Sequence, residues 1–500
     1  MDHVKIDLER TVSDIDRNIF GGYLENLVYG GIYYPKSPYA DKNGLRSDVF
    51  EALQRMKCPN LRFPGGNLAS GYRWMDAVGP AAERPAHHDL AWNSVVSNQF
   101  GTDEFMLYCR RLGTEPYICV NCGDGDMREA ADWVEYCNGK GDSYLAKLRG
   151  KNGSEAPYNV KYWGIGNEVD GPWQIGFKTP QEYARACTEF SKVMKLVDPD
   201  IKLVASAVSL WDDHSLPPDA LPAKSEWVER AQLMLEQAGE RIDYMALHRY
   251  AHLHNDDLFE NYMAFMKDFD EHLTAYDGLI RSVCLERGIK HHIAIAIDEW
   301  GVSRHPRVQR TEKMIVNTVD AMMTAQHFNS FIRHAHSVRL ANFTGTLTSM
   351  GVRLIRIDKH VLLEPNFYPV ELYSRTCGQQ ALDVFWDGET FSGTYKNRTY
   401  SGIRTLDIAA TLDESRKQLV VYVVNQTASK ATDAAISLAS GEFAGDVRVS
   451  VINGPDIKSQ NTDENPLQVI TRESAAKASG KTFNYTFEPH SVTALVCDVR

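Results

Sequence analysis

The sequence predicts an α/β fold, a (β/α)8 barrel followed by an antiparallel β-sandwich of jelly-roll type, and three observations carry that prediction. Short apolar runs that read as buried strands recur eight times, about 40 to 57 residues apart. Amphipathic helical stretches alternate with them, the pattern of a parallel sheet that closes on itself. After about residue 385 the helical period disappears, and strand-like segments separated by turn residues take over.

The eight runs are Ile19–Leu24, Asn60–Pro64, Tyr117–Asn121, Tyr162–Asn167, Lys202–Ala207, Tyr244–Tyr250, Ile293–Glu299 and Arg339–Phe343. Between them, Thr102 before Asp103 and Glu104 reads as a helix N-cap. Phe105, Tyr108, Cys109 and Leu112 follow at helical spacing, and Gly113 ends the helix. Thr179-Pro180-Gln181-Glu182 is a capping box with proline at the first helical position. The tail offers strands at Thr405–Leu412, Gln418–Val424, Ala434–Leu438, Val447–Ile452, Lys481–Glu488 and Val492–Asp498. Val4–Thr11 alternates apolar and polar residues, as a strand lent to the same sandwich does. The expected division is residues 1–17 as that strand, 18–384 as the barrel and 385–500 as the sandwich.

Five hundred residues, 43% hydrophobic and 24% charged, describe an ordinary folded chain with room for a large core. A formal net charge of −12 argues against nucleic acid as a partner, since that affinity rests on Lys and Arg neutralising phosphates. No apolar run is long enough to span a bilayer, so no membrane partner is expected. The start, Met1 to Asp7, has no basic stretch leading into an apolar one, and cytoplasmic residence is the expectation. Nine scattered cysteines read as reduced core thiols, Cys119 and Cys122 included, because their C-x-x-C spacing has no second pair.

In such a barrel the chemistry sits at the C-terminal ends of the strands. Strand one ends in Glu25-Asn26. Strand two leads through Arg62 into Pro64-Gly65-Gly66-Asn67, and strand four ends Gly166-Asn167-Glu168. Strand six carries His248 and Tyr250, and strand seven ends Asp298-Glu299-Trp300. Two carboxyl groups brought together at one rim can protonate a leaving oxygen and attack a sugar carbon, the requirement for breaking a glycosidic bond with retention. Glu168 and Glu299 are that pair. Close carboxyls cannot both ionise freely, so one is expected to have a raised pKa and keep its proton. Glu168 is assigned that role as acid/base and Glu299 the nucleophile's, with Tyr250 holding Glu299 by a phenolic hydrogen bond and Asn167 placed for a sugar hydroxyl. Arg62 is read as orienting carboxylates. Glu25 has two readings, a ligand for substrate hydroxyls and an ion-pair partner of Arg62. Gly65-Gly66 is too short to cradle a phosphate and instead permits close backbone approach. Trp74, Trp92, Trp173 and Trp300 are candidates to stack on sugar faces.

The runs Leu61–Asn67, Phe100–Phe105, Trp133–Asn138 and Tyr162–Gly176, together with Asp298-Glu299-Trp300, closely resemble the α-L-arabinofuranosidases of glycoside hydrolase family 51 across nearly the whole barrel. The resemblance implies a retaining, exo-acting enzyme on arabinan, arabinoxylan and their oligosaccharides. It implies Glu168 as acid/base and Glu299 as nucleophile, and substrate contacts at Glu25, Asn67, Asn167 and Tyr250; Trp300 joins the expected substrate-binding residues as a stacking candidate. It also implies an intracellular hexamer with no metal or organic cofactor. Two departures stand out. Asn26 follows Glu25 where the family usually has His, and Gly345, in Ala341-Asn342-Phe343-Thr344-Gly345, stands where it often has a sugar-contacting Gln. A pocket wider on that side is expected to admit a related pentoside such as a β-D-xyloside.

Three other readings compete. A metal-dependent barrel hydrolase would need ligands clustered at strand ends, and of the sixteen histidines only His248 is well placed. A carbohydrate-binding protein without turnover would not need both glutamates. An endo-acting glucanase or xylanase requires a cleft rather than a pocket.

Overall fold

The computed structural model describes residues 1–25, 31–209, 226–253, 258–304, 315–347, 353–357 and 360–500. Asn26 therefore lies outside the described residues. Eight parallel strands close into a barrel in chain order: Gly21–Tyr23, Asn60–Phe63, Glu115–Val120, Tyr162–Ile165, Lys202–Ser209, Tyr244–Leu253, Ala294–Arg304 and Val338–Phe343. They are numbered one to eight below. Inward-pointing Tyr117, Tyr162, Val204, Ala246, Ala296 and Leu340, one from each of strands three to eight, pack as a layer inside the barrel. The opposite faces of the strands meet the helices in one large apolar core, where each fully buried large side chain contributes about 1.5–3 kcal/mol.

The helices begin and end as their residues dictate. At Pro180–Val197 the Thr179 hydroxyl and the Glu182 carboxylate cap each other's backbone N–H groups. The helix Thr102–Leu112 starts one residue earlier than the sequence suggests: Gly101 is the cap, and Glu104 accepts from its N–H at 2.9 Å. The reason is space, because a Cβ on Gly101 would lie 1.9 Å from the Ala77 carbonyl oxygen. Thr102 is thereby turned inward, and its hydroxyl accepts from the Trp133 indole at 3.0 Å.

A nine-stranded sheet forms the second body. All nine strands send side chains into one core that includes Ile6, Leu382, Ile408, Val421, Ile436, Val449, Phe487 and Leu495, so the sheet wraps that core rather than lying flat. The opening strand Asp2–Asp14 sits between Gln380–Asp387, its antiparallel partner, and Thr432–Leu438, its parallel one. The sheet thus takes its first strand after the barrel from Gln380, ahead of the expected boundary at 385. Two further elements were not expected. Ile470–Gly480 pairs along its whole length with Phe443–Asn453. The hairpin of Thr390–Tyr395 and Arg398–Arg404 leaves the sheet and lies on the barrel helix Phe259–Arg287, where Gly393 approaches the Glu260 carbonyl too closely for any side chain.

Candidate active site

Strands two, four, six and seven bring their polar residues to one mouth. Strand six obeys simple alternation, so Ala246, His248 and Tyr250 all face inward. Strand seven does not. Its pairing slips between Ile297 and Trp300 towards strand eight and between Ala296 and Trp300 towards strand six, and this irregularity lets the consecutive Asp298 and Glu299 both serve the interior. The next residue then faces out. Trp300 is 1% exposed, its ring packed against His327, Phe328, Phe331 and Phe343. The expectation that Trp300 meets substrate is therefore corrected: its ring belongs to the seam between the barrel and the helix Thr318–Arg333.

Glu299 accepts from Arg62 Nη1 at 2.6 Å and from the Tyr250 hydroxyl at 2.7 Å, and that hydroxyl also lies 2.8 Å from Thr344 Oγ1. Glu168 faces His248 Nδ1 at 3.1 Å through one oxygen and accepts from Trp173 Nε1 at 3.2 Å through the other. Glu168, His248 and Glu299 each place one polar atom within 4.8 Å of the other two. The two carboxylates, one just beyond the end of strand four and the other on strand seven, are thus neighbours. Glu168 itself holds a left-handed backbone (φ 42°) immediately after Asn167, a conformation that costs a non-glycine residue about 1 kcal/mol or more.

Arg62 organises the floor. Beyond Glu299 it donates to Asn167 Oδ1 at 2.6 Å and lies 3.4 Å from Asp298 Oδ2. With its carbonyl oxygen pinned, Asn167 presents an amide Nδ2 that is buried and has no hydrogen-bond partner among the described residues. Gly66 leaves the space beside it: a Cβ there would lie 2.8 Å from Glu299 Oε1 and 3.3 Å from Asn167 Nδ2. Of the two readings of Glu25, the ion pair with Arg62 is not what forms. Glu25 accepts from the Trp92 indole at 2.9 Å, and its pKa rises to about 7, chiefly through burial, with the Glu299 charge adding to it. Asn67 accepts from Gln174 Nε2, the amide that also reaches Glu168 Oε2 at 3.4 Å. Among the tryptophans, Trp74 is core, stacked on Trp133. Trp173, 41% exposed, stands beside Glu168.

The resting proton is not where the sequence argument put it. Burial by itself would raise the Glu168 carboxyl, but the hydrogen bond and charge of His248, with donation from Trp173 and Gln174, hold it below its ordinary value. Burial lifts Glu299 above the ordinary range against the pull of His248 and Arg62, with the Glu168 charge adding to the rise. Burial also works against a charge on His248, yet Glu299, Asp298 and the hydrogen bonds to Asp298 and Glu168 lift that imidazole well above its usual pKa. His248 therefore carries the proton that was expected on Glu168. Nε2 of the same ring lies 3.1 Å from Asp298, whose carboxyl is depressed to about 2: burial is outweighed by Arg62, His248 and the Tyr117 hydroxyl.

Glu168, His248 and Glu299 are also the one group of potential metal ligands found among the described residues. Both imidazole nitrogens face carboxylates, Nδ1 that of Glu168 and Nε2 that of Asp298, each at 3.1 Å. The donor set suits proton transfer. Sequence reasoning noticed His248 but gave it no role; its place two residues before Tyr250 on an alternating strand was the available signal. Gln174 had no such signal. Cys119, its Sγ 3.8 Å from Arg62 Nη2, and Cys122 are buried free thiols whose pKa values burial lifts to about 12 and about 11.

Two family models match the chain, an alpha-L-arabinofuranosidase 1 domain over residues 52–273 and an alpha-L-arabinofuranosidase C-terminal domain over residues 298–491. The chain is 34% identical to a protein named probable alpha-L-arabinofuranosidase C of Aspergillus clavatus, with 98% of this chain and 96% of the relative covered. It belongs to glycoside hydrolase family 51. Another relative, the intracellular exo-alpha-(1->5)-L-arabinofuranosidase 1 of Bacillus subtilis, is 31% identical over 96% of each chain. Among solved structures, the α-L-arabinofuranosidase of Thermotoga maritima in its arabinose complex superposes with a TM-score of 0.88 at 34% identity over the full length of both chains. The family 51 barrel with its C-terminal sandwich is the architecture described above.

Proposed function

We propose that this family 51 chain is a retaining, exo-acting α-L-arabinofuranosidase that releases terminal arabinofuranosyl groups from arabinan, arabinoxylan and their oligosaccharides. The observation that supports this most is the approach of the Glu168 and Glu299 carboxylates within 4.8 Å at the barrel mouth. Retaining pairs stand about 5–5.5 Å apart, and inverting pairs about 6.5–9.5 Å, to leave room for water.

Glu299, aimed by Arg62 and Tyr250, attacks the anomeric carbon as the glycosidic C–O bond breaks. The departing oxygen takes a proton that passes from His248 through Glu168 along their shared hydrogen bond, which leaves His248 neutral and Glu168 a carboxylate. Glu299 becomes an ester, and its charge, the leading attraction on the His248 proton, is lost. Glu168, now an anion, takes a proton from water as that water's oxygen attacks the same carbon and frees Glu299. Asn167 Nδ2 donates to a sugar hydroxyl, and Glu25 and Asn67 bind others. Hydrolysis of 4-nitrophenyl α-L-arabinofuranoside followed by proton NMR tests the reading: the first sugar formed should carry the α configuration of the substrate, and a β product would refute retention.

The proposal extends to a cytoplasmic hexamer, supported by the family resemblance and by a relative named intracellular. No described helix is long and apolar enough to cross a membrane. At strand eight, Thr344 reaches Tyr250 while Gly345 offers no side chain. This supports acceptance of a β-D-xyloside as a second substrate.

A further inference from the structure

Two of the motifs singled out in the sequence, Phe100–Phe105 and Trp133–Asn138, contribute no side chain to the catalytic mouth. Their residues converge elsewhere. Asp103 accepts from the Tyr136 hydroxyl at 2.8 Å and from the Tyr158 hydroxyl at 2.7 Å, and Asn152 donates to Tyr136 at 3.0 Å. This network forms one wall of a groove of about 380 Å³, whose lining includes Tyr33, Asn43, Gln99, Arg110, Asn152 and Tyr158. That volume falls within the range of small-ligand clefts.

Its polar groups are unspent in a particular way. The Arg110 guanidinium and the Asn43 side-chain amide have no hydrogen-bond or ion-pair partner among the described residues, so donors are available. Gln99 and Asn152 spend their NH2 groups on the Ala81 carbonyl and on Tyr136, which leaves both carbonyl oxygens to accept. Sugar hydroxyls need donors and acceptors together, and tyrosine rings supply an apolar face for the ring carbons. Charge is balanced: the lining carries one cation, Arg110, and the carboxylates of Asp103 and Glu104, of which Glu104 is matched by Arg84 at 2.8 Å. The lining suits an uncharged polyol better than an anion.

The position fits a polymer. Tyr33 and Asn43 lie in the connection after strand one and Gln99 in the connection after strand two, on the face that carries the catalytic mouth, while Arg110 in the last turn of Thr102–Leu112 and Asn152 and Tyr158 in the connection leading into strand four carry the groove down the side of the barrel. The connection from strand two also carries Trp92, whose indole holds Glu25. One segment thus touches both places.

We infer that this groove on the side of the barrel is a second, non-catalytic saccharide site that grips the uncharged pentosan chain from which the arabinofuranosyl group is cut. The inference rests on the proposed arabinofuranosidase reading. The test is the double variant Asn43→Ala/Arg110→Ala in the full chain, assayed on 4-nitrophenyl α-L-arabinofuranoside, on arabinan and on arabinoxylan. Native gels cast with debranched arabinan or linear xylan give a direct reading of binding. A fall in kcat/KM of at least about threefold on a polymer, with the nitrophenyl rate unchanged and gel retardation of the parent protein lost in the variant, is the expected result. Which gel retards the parent protein identifies the backbone. Unchanged polymer rates, or an equal fall on all substrates, would overturn the site. Failure of the parent protein to cleave the nitrophenyl arabinofuranoside would instead remove the arabinofuranosidase reading, and retardation of parent against variant would still decide the groove.

Discussion

His248 Nδ1 stands 3.1 Å from Glu168 Oε1, and among the described neighbours of the Glu168 and Glu299 carboxylates it is the one through which a proton can pass in either direction. Arg62, Trp173 and Gln174 only donate to them, and Tyr250 is occupied between Glu299 and Thr344. On the proposed mechanism the acid is a histidine–glutamate pair sharing one proton.

That arrangement predicts the pH dependence of His248→Asn. In the parent protein the shared proton is lost only above the ordinary histidine range, because neighbouring carboxylates hold it on the imidazole. Without the ring, Glu168 must keep the proton alone, at a lower pKa. The basic limb of kcat/KM against pH should move to lower pH, and the maximum should fall by about 10²-fold or more. A basic limb left in place would show that His248 has no share in the proton.

Tyr250→Phe removes one of two donors to Glu299 while leaving the ring. A hydrogen bond to a charged group contributes about 1.5–3 kcal/mol, so kcat/KM should drop about 10- to 100-fold. Because Glu299 then loses stabilisation of its anion, the acidic limb of the profile should shift to higher pH. Steady-state kinetics across pH measure both.

Glu25 makes a stability prediction with a definite sign. Its pKa is about 7 in the fold against an ordinary 4.5. The folded state therefore binds the extra proton between those values, and stability falls as pH rises through that window. The cost is absent below about pH 4.5 and complete above about pH 7, where it amounts to about 3 kcal/mol. Glu25→Gln should match the parent in urea unfolding at pH 4.5 and exceed it at pH 8. Its KM for an arabinofuranoside should rise if Glu25 binds a hydroxyl.

Gly345 predicts breadth. The parent protein should cleave 4-nitrophenyl β-D-xyloside at a rate comparable to the arabinofuranoside, and Gly345→Gln should suppress the xyloside selectively. The glycine has φ 72°, so glutamine there also costs about 1–2 kcal/mol of backbone strain, visible as a lowered Tm. A negligible xyloside rate in the parent would end this reading.

The barrel was legible because parallel strands buried on both faces leave uninterrupted apolar runs, and the rule that chemistry gathers at their C-terminal ends located Glu168, Glu299 and Tyr250. Trp300 was misread for a local reason. Alternation from Ala296 through Asp298 points position 300 inward, and only the slip in pairing, which leaves no mark in the sequence, turns it out. The proton on His248 was illegible for a different reason, since it depends on three carboxylates from two other stretches of chain surrounding one ring. Gln380–Asp387 escaped notice because half of its residues face away from the sandwich core, which blurs its boundary with the barrel's last helix.

The account rests on Glu299 bonding covalently to the sugar. Incubation with a 2-deoxy-2-fluoro-α-L-arabinofuranosyl fluoride, followed by peptide mass spectrometry, tests this most directly. The account predicts one fluoropentosyl group, attached to Glu299, in protein that has lost activity. A label on any other residue, or no label while the released sugar has the inverted configuration, would contradict it.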